Sequence, residues 1–271
     1  MSNLLTRLIV GFIYITVIVI GSMYSPLLFI GLISLFAFLC LLELIKILRF
    51  DNILYIIGAF LIGAYLLYTY GSGFWYSTSI YELNLINLLP IFLFGIAILL
   101  IFKRTGELYY DSSKLIFSVV YGVLPFALIF AVVNKIEVDN FQSFNALICL
   151  FILLWCSDSF AYITGRLFGS TPLSKISAKK TVEGLVGGIF FTIVAGVIMN
   201  YNLTELRGNW IIIAALVAIA APVGDLAESK LKRFFDIKDS SNWLPGHGGY
   251  LDRLDSFLTS AVVVYTYYLF I

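Results

Sequence analysis

The chain has 271 residues, 61% of them hydrophobic and only 12% charged, where an ordinary soluble domain carries about a quarter charged residues; this excludes a water-soluble globule and makes lipid the solvent. A formal net charge of +1 with no block of Lys or Arg excludes a nucleic-acid surface. Cys40, Cys149 and Cys156 stand apart in apolar stretches, which excludes a disulfide framework and a thiolate metal site and leaves three small buried hydrophobes.

A helix needs roughly 17–25 apolar residues to cross the hydrocarbon. That rule predicts an all-α, polytopic integral membrane protein with about nine transmembrane helices, centred near residues 15, 34, 61, 95, 124, 152, 192, 216 and 263. The first stretch, Met1–Ser25, has Arg7 ahead of an apolar run, like a signal peptide. It lacks a small-residue cleavage pattern and is read as a retained helix. The connecting segments alternate in charge. Arg7, then Lys46 and Arg49, then Lys103, Arg104 and Lys114, then Arg166, Lys175, Lys179 and Lys180, then Lys230, Lys232, Arg233, Lys238 and Arg253 fall on one side. Only Lys135 and Arg207 fall on the other, so the positive-inside rule places the N-terminus in the cytoplasm and, with nine spans, the C-terminus outside. The segment Gly71–Tyr81, with Phe74, Trp75 and Tyr76, suits an outer aromatic belt.

No repeat, low-complexity tract or linker divides the chain, which reads as one membrane domain over 1–271. Residues 1–143 read as scaffold spans and 144–271 as catalytic spans with cytoplasmic loops. The two long polar segments, about 166–183 and 229–255, hold most of the Gly, Pro, Ser and charged residues of the C-terminal half.

In the sixth span Asp158 is followed one turn later by Tyr162. An acid there costs roughly 2.5–3.5 kcal/mol on insertion scales and calls for a partner or a wet cavity; the plainer reading is one interhelical hydrogen bond. Next come Gly165, Arg166 and Gly169, then Lys175, Ser177, Lys179, Lys180, Thr181, Glu183 and Gly184, a basic, hydroxyl-bearing loop running into a helix start that can hold phosphate. For Gly184 and Gly188 alone, close helix packing is the better reading. In the eighth span Asp225, Glu228 and Lys232, at spacings of three and four, share one helix face.

The last loop is richest: Ser229, Lys230, Lys232, Arg233, Lys238, Asp239, then Leu244-Pro245-Gly246-His247-Gly248-Gly249-Tyr250, then Asp252, Arg253 and Asp255. Glycines around the chain's one histidine let backbone approach a ligand closely. Clustered carboxylates suit Mg²⁺, which binds through one or two carboxylates plus substrate phosphates. His247 reads as a phosphate contact.

Ser229 to Asp255 closely resembles the signature of the phosphatidate cytidylyltransferases, the CDP-diacylglycerol synthases. Gly224-Asp225, Asp158, Tyr162, Gly165 and Lys179-Lys180-Thr181 with Glu183-Gly184 support the likeness, which spans about the C-terminal half. Ala178, where the family usually has proline, and Tyr250, where it has a smaller aliphatic, depart from it. The resemblance implies transfer of the cytidylyl group of CTP to phosphatidic acid, giving CDP-diacylglycerol and pyrophosphate. It implies Mg²⁺, allows a second, monovalent ion such as K⁺, and places a polar cavity at the cytoplasmic side of a cell inner membrane, in a fold compatible with a homodimer. Carried onto this sequence, the expected catalytic residues are Asp225, Asp252, Lys180, Arg233, His247 and Arg253. The expected substrate-binding residues are Asp158, Ser177, Lys179, Thr181, Glu183, Lys232, Lys238, Asp239, Gly248, Gly249 and Asp255. Asp225 and Asp252, with Glu228, are the expected metal ligands. Two alternatives stand beside this reading: a CTP-using enzyme acting on another lipid phosphate or alcohol, and a secondary transporter, which would show inverted repeats and mid-membrane charge.

Overall fold

The computed structural model describes residues 3–72, 85–103, 110–136, 143–174, 176–177, 179–203, 206–246 and 248–271. Arg104, Lys175, Ala178, His247 and the aromatic residues 74–81 lie outside them. Among the described residues ten α-helices follow one another: α1 (Asn3–Tyr24), α2 (Pro26–Leu48), α3 (Ile53–Gly71), α4 (Leu85–Lys103), α5 (Asp111–Gly122), α6 (Leu124–Ile136), α7 (Ser143–Phe168), α8 (Val182–Asn202), α9 (Trp210–Phe234) and α10 (Leu251–Leu269). β-Pairing among them is limited to two isolated bridges, Pro172 with Thr181 and Leu244 with Gly248.

Each predicted span centre falls within or between these helices, and seven helical stretches are long and apolar enough to cross a membrane. The departures have physical causes. The span predicted around residue 124 is one apolar stretch, Asp111–Val133, but it breaks at Val123 into α5 and α6. Pro125 has no N–H to continue the ladder there. Helix α10 falls outside the seven because Asp252, Arg253, Asp255 and several hydroxyls lower its apolar character. It does not need a lipid-compatible surface: Leu254, Ser256 through Val262, Tyr265 and Tyr268 are all buried, enclosed by α9, α6, α4, α2 and α7. In α1 the apolar stretch is the shorter Ile9–Gly21.

Local capping fits the element boundaries. Ser25 accepts from Leu28 N at 3.2 Å with Pro26 in the first turn, Asn52 from Leu54 N at 2.9 Å, Thr181 from Gly184 N at 3.1 Å, and Asn209 from Ile211 N at 3.0 Å. Tyr250, which precedes α10, offers no side-chain cap.

The core joins both halves. Phe257 of α10 packs at a tilt on Phe126 of α6, 5.1 Å between ring centroids, and stacks on Phe151 of α7 at 5.4 Å. Helices α7 and α8 form a tight pair because small residues meet. A Cβ on Gly184 would lie 2.7 Å from Ala161 O, and one on Gly188 would lie 3.0 Å from Ser157 O. The contacts also sort the bundle's ends. Lys46 sits over the Trp243 ring, Lys114 donates to Arg49 O, Lys230 donates to Phe102 O, and Lys180 and Lys232 pair with acids of α9 and α10. At the opposite end of α9, Arg207 donates to Ile271 O at 2.9 Å and Tyr268 donates to Arg207 O.

Candidate active site

The loop 169–181 is folded back on itself. Leu173 N donates to Lys180 O at 2.7 Å, Val182 N to Thr171 O at 2.9 Å, and Lys180 N to Ser177 O at 3.1 Å. Glu183, in the first turn of α8, accepts from Ser170 Oγ at 2.8 Å, from Ser170 N at 3.1 Å and from Thr171 N at 3.2 Å. Two of the expected substrate ligands therefore have local work: Thr181 caps α8 and Glu183 anchors the loop. Ser177 forms the turn before Lys180, and Lys179 is exposed beside it.

This fold of the loop carries Lys180 to Asp225 of α9. Their side chains form an ion pair, each 29% exposed. Asp225 is preceded by Gly224, where a Cβ would strike Asp255 O and Thr259 Oγ1 of α10; the lack of a side chain brings α9 and α10 together at this level. Asp158, Asp225 and Asp255 consequently lie within electrostatic reach of one another, with Lys180 as a shared counter-charge and Arg253 reaching Asp158. Asp158 is open at its surface. Of these acids Asp225 alone pairs directly with Lys180, and the other two face it through the intervening space.

Two turns further along α9, Lys232 pairs with both Glu228 and Asp252. Asp252 is the most heavily engaged acid of the site. Its Oδ2 accepts from Gly249 N at 2.7 Å, from Ser240 N at 2.9 Å and from Ser240 Oγ at 2.9 Å. Gly248 adopts φ +83, where a Cβ would strike this same carboxylate. Arg233 is exposed, closing the end of α9 by donating to Ile237 O at 3.1 Å.

Between this loop and α10 opens a cleft of about 640 Å³ lined by Lys238, Asp239, Asn242, Leu244, Pro245, Gly246, Gly248 and Arg253. That volume lies within the range of small-molecule sites, roughly 300–1,000 Å³. Two cations, backbone at glycines and only one acid give it the chemistry of an anion site.

A family model described as the Cytidylyltransferase family matches residues 5–271. The chain belongs to the cytidylyltransferase family. It is 40% identical over 139 residues to a phosphatidate cytidylyltransferase of Haemophilus influenzae, covering 49% of this chain and 48% of that one. It is 34% identical over 151 residues to one of Staphylococcus haemolyticus, covering 55% of each, and 33% identical over 184 residues to one of Brucella abortus, covering 64% and 62%. The chain thus spans about half the length of the first of these relatives. Family membership also removes support from the transporter alternative.

In this cytidylyltransferase-family chain the structure joins Lys180 to Asp225, and Lys232 to Glu228 and Asp252, and it sets Lys238, Asp239, Gly248 and Arg253 around one cleft. His247 lies outside the described residues. Among the described residues no three Asp, Glu, Cys or His side chains form a ready-made metal cage. Such a donor set still suits Mg²⁺, which takes one or two carboxylates and completes its shell with substrate phosphates and water.

One residue of the site escaped the sequence reading. Glu43 of α2, in the stretch read as scaffold, is fully buried and bonds to Ser240, Ser241, Tyr250 and Leu251. The signal was present: an acid inside an apolar span, the same observation that singled out Asp158. Tyr250, a departure from the family pattern, packs 6.2 Å from the Phe36 ring of α2 and 6.2 Å from Trp243.

Proposed function

We propose that the protein transfers the cytidylyl group of CTP to phosphatidic acid, forming CDP-diacylglycerol and pyrophosphate at the cytoplasmic face of a cell inner membrane. The observation that carries this reading is that two lysine-paired acids, Asp225 on α9 and Asp252 on α10, accompany a cleft whose cations are Lys238 and Arg253 and whose Gly248 abuts the Asp252 carboxylate. Acids at the boundary of a basic cleft large enough for a small molecule suit a nucleotide bound through a divalent ion. The names of the relatives support the choice of phosphatidate. The basic residues gathered at the end of the bundle that holds the site support a cytoplasmic placement.

Asp225 and Asp252 are the proposed metal carboxylates, one on α9 and one in the first turn of α10, with Glu228 behind Asp252. Bound Mg²⁺ would neutralise phosphate charge and make the α-phosphorus more electrophilic. Each proposed carboxylate is paired with a lysine, so the nucleotide's phosphates and its cation can be taken up by exchange. The carboxylates would then face the cation and the lysine ammonium groups would face phosphate, with no net burial of unpaired charge. Lys180, Arg233, Lys238 and Arg253 clamp phosphate oxygens, and His247 is a further phosphate contact. A phosphate oxygen of phosphatidic acid, already ionised near neutral pH, attacks in line. The new P–O bond forms as the bond between the α-phosphorus and its bridging oxygen breaks, and pyrophosphate leaves with that electron pair. No general base is required; catalysis is positioning and charge stabilisation.

The test is purified protein in detergent with labelled CTP, phosphatidic acid and Mg²⁺. Labelled CDP-lipid and pyrophosphate in equal amounts are expected. Product from a polyprenyl phosphate or lipid alcohol but not from phosphatidic acid would transfer the reading to another acceptor. No labelled lipid with any acceptor would end it.

A further inference from the structure

The loop 235–250 is fastened to a helix that the reaction does not otherwise use. Glu43 of α2 is fully buried. Its Oε1 accepts from Ser241 Oγ at 2.6 Å and from Tyr250 N at 2.9 Å, and its Oε2 accepts from Ser240 Oγ at 2.7 Å and from Leu251 N at 2.8 Å. A buried carboxylate solvated by four protein donors is held in one place, because losing any of them leaves charge short of hydration.

Two consequences run from this carboxylate to the site. The N–H groups of Tyr250 and Leu251 open α10, which has no side-chain cap of its own, so Glu43 supplies the cap from another helix. Ser240 then passes the constraint on. Its hydroxyl lies between Glu43 Oε2 at 2.7 Å and Asp252 Oδ2 at 2.9 Å, and one hydroxyl proton can serve only one acceptor at a time. Gly249 makes the approach feasible, since a Cβ there would strike Ser240 Oγ and the Glu43 carboxylate.

We infer that Glu43 is a positioning residue for the nucleotide: it fixes the start of α10 and the loop before it, and thereby sets where Lys238 and Arg253 meet the phosphates and where Asp252 would face their cation, without touching substrate. The inference rests on the cytidylyltransferase reading of the site. It assigns a functional role to the N-terminal half of the chain.

The decisive substitution is Glu43→Gln. Each carboxylate oxygen holds one backbone N–H, from Tyr250 or Leu251, that cannot turn round. Whichever way the amide is oriented, its NH₂ faces a fixed donor. Steady-state KM for CTP, KM for phosphatidic acid and kcat are measured in mixed micelles for the wild type, E43Q, E43D and S241A, with folding checked by thermal unfolding in detergent. E43Q is expected to raise KM for CTP by about tenfold or more, with KM for phosphatidic acid within about twofold of wild type. E43D, which keeps the acceptors on a shorter arm, recovers part of the loss. S241A removes one donor and raises KM for CTP by about threefold.

A residue that only holds the bundle together would lower the active fraction and so the maximal rate, leaving KM for CTP where it was. That pattern in folded E43Q overturns the inference. Should E43Q not fold, S241A decides alone, and a wild-type KM for CTP in that variant overturns it. Wild-type protein without cytidylyl transfer would sink the proposed reaction and this inference together, whereas wild-type turnover with unaltered variants sinks the inference only.

Discussion

The loops 169–181 and 235–250 both bring lysines to the same end of the bundle, yet they are held there by opposite means. The first is anchored from nearby, by Glu183, 13 positions from Ser170. The second is anchored from 197 positions away, by Glu43 on α2. The first loop can therefore take its shape with α7 and α8 alone. The second is completed only once α2 has docked, because α10 lacks a side-chain cap and the Ser241 hydroxyl lacks its acceptor until Glu43 arrives, although Asp252 already holds Ser240 and Gly249 N. The contrast assigns the lysine that pairs with Asp225 to a local device and the anion cleft to a long-range one.

The largest effect expected from breaking this arrangement comes at the acids where the two devices meet. Asp225→Asn removes the charge that pairs with Lys180 and that the proposed reading gives to a nucleotide-bound cation, while keeping the side chain's size. Turnover of CTP should fall by at least about 10³-fold while the protein remains inserted and folded, as read by its thermal unfolding in detergent. Asp252→Asn should fall as far in activity and lose folding stability as well, because Asp252 also holds Gly249 N and Ser240. Retained turnover in either variant would refute its assignment as a metal carboxylate.

These differences also mark what could be read from the residues in order. Helix positions were legible because apolar runs of spanning length carry their own signal, and the acids Asp158, Asp225 and Asp252 because charge in such surroundings is costly. The break at Val123 was not read, although Pro125 announces it. Helix α10 could be placed, but not its central position, since only the assembled neighbours show that protein encloses it. Glu43 is the instructive miss. Its chemistry matches that of Asp158, but its partners lie about 200 residues away, and no local spacing connects them. The pairing of Lys180 with Asp225, likewise, depends on a loop shape set by Glu183 and the bridge between Pro172 and Thr181.

A middle-sized effect should separate the two anchors. Glu183→Gln weakens the hold on Ser170 and Thr171 and lets the loop that presents Lys180 drift. A fall of about tenfold in kcat/KM is expected, borne mostly by kcat, because Lys180 stands beside the acid cluster rather than in the cleft. Kinetics in which E183Q raised KM for CTP as E43Q is expected to do, with kcat unchanged, would show that both loops bind nucleotide in the same way and would erase the distinction drawn between them.

The smallest effect tests how much of the second anchor is carboxylate and how much is its surroundings. Lys46 lies one turn beyond Glu43 on α2, exposed, with its ammonium 4.3 Å from the centroid of the Trp243 ring. A cation over an indole at an exposed site contributes about 0.5–1 kcal/mol. Lys46→Met keeps the aliphatic stem and leaves Trp243 its edge contact with Tyr250, so it removes only the charge. KM for CTP should rise by about two- to fivefold, well short of the change expected for E43Q. If K46M instead matched E43Q, the loop would be held chiefly by its aromatic flank, and the buried carboxylate would be reduced to a helix cap. If K46M changed nothing while E43Q raised KM, the four hydrogen bonds of Glu43 would account for the long-range anchor by themselves.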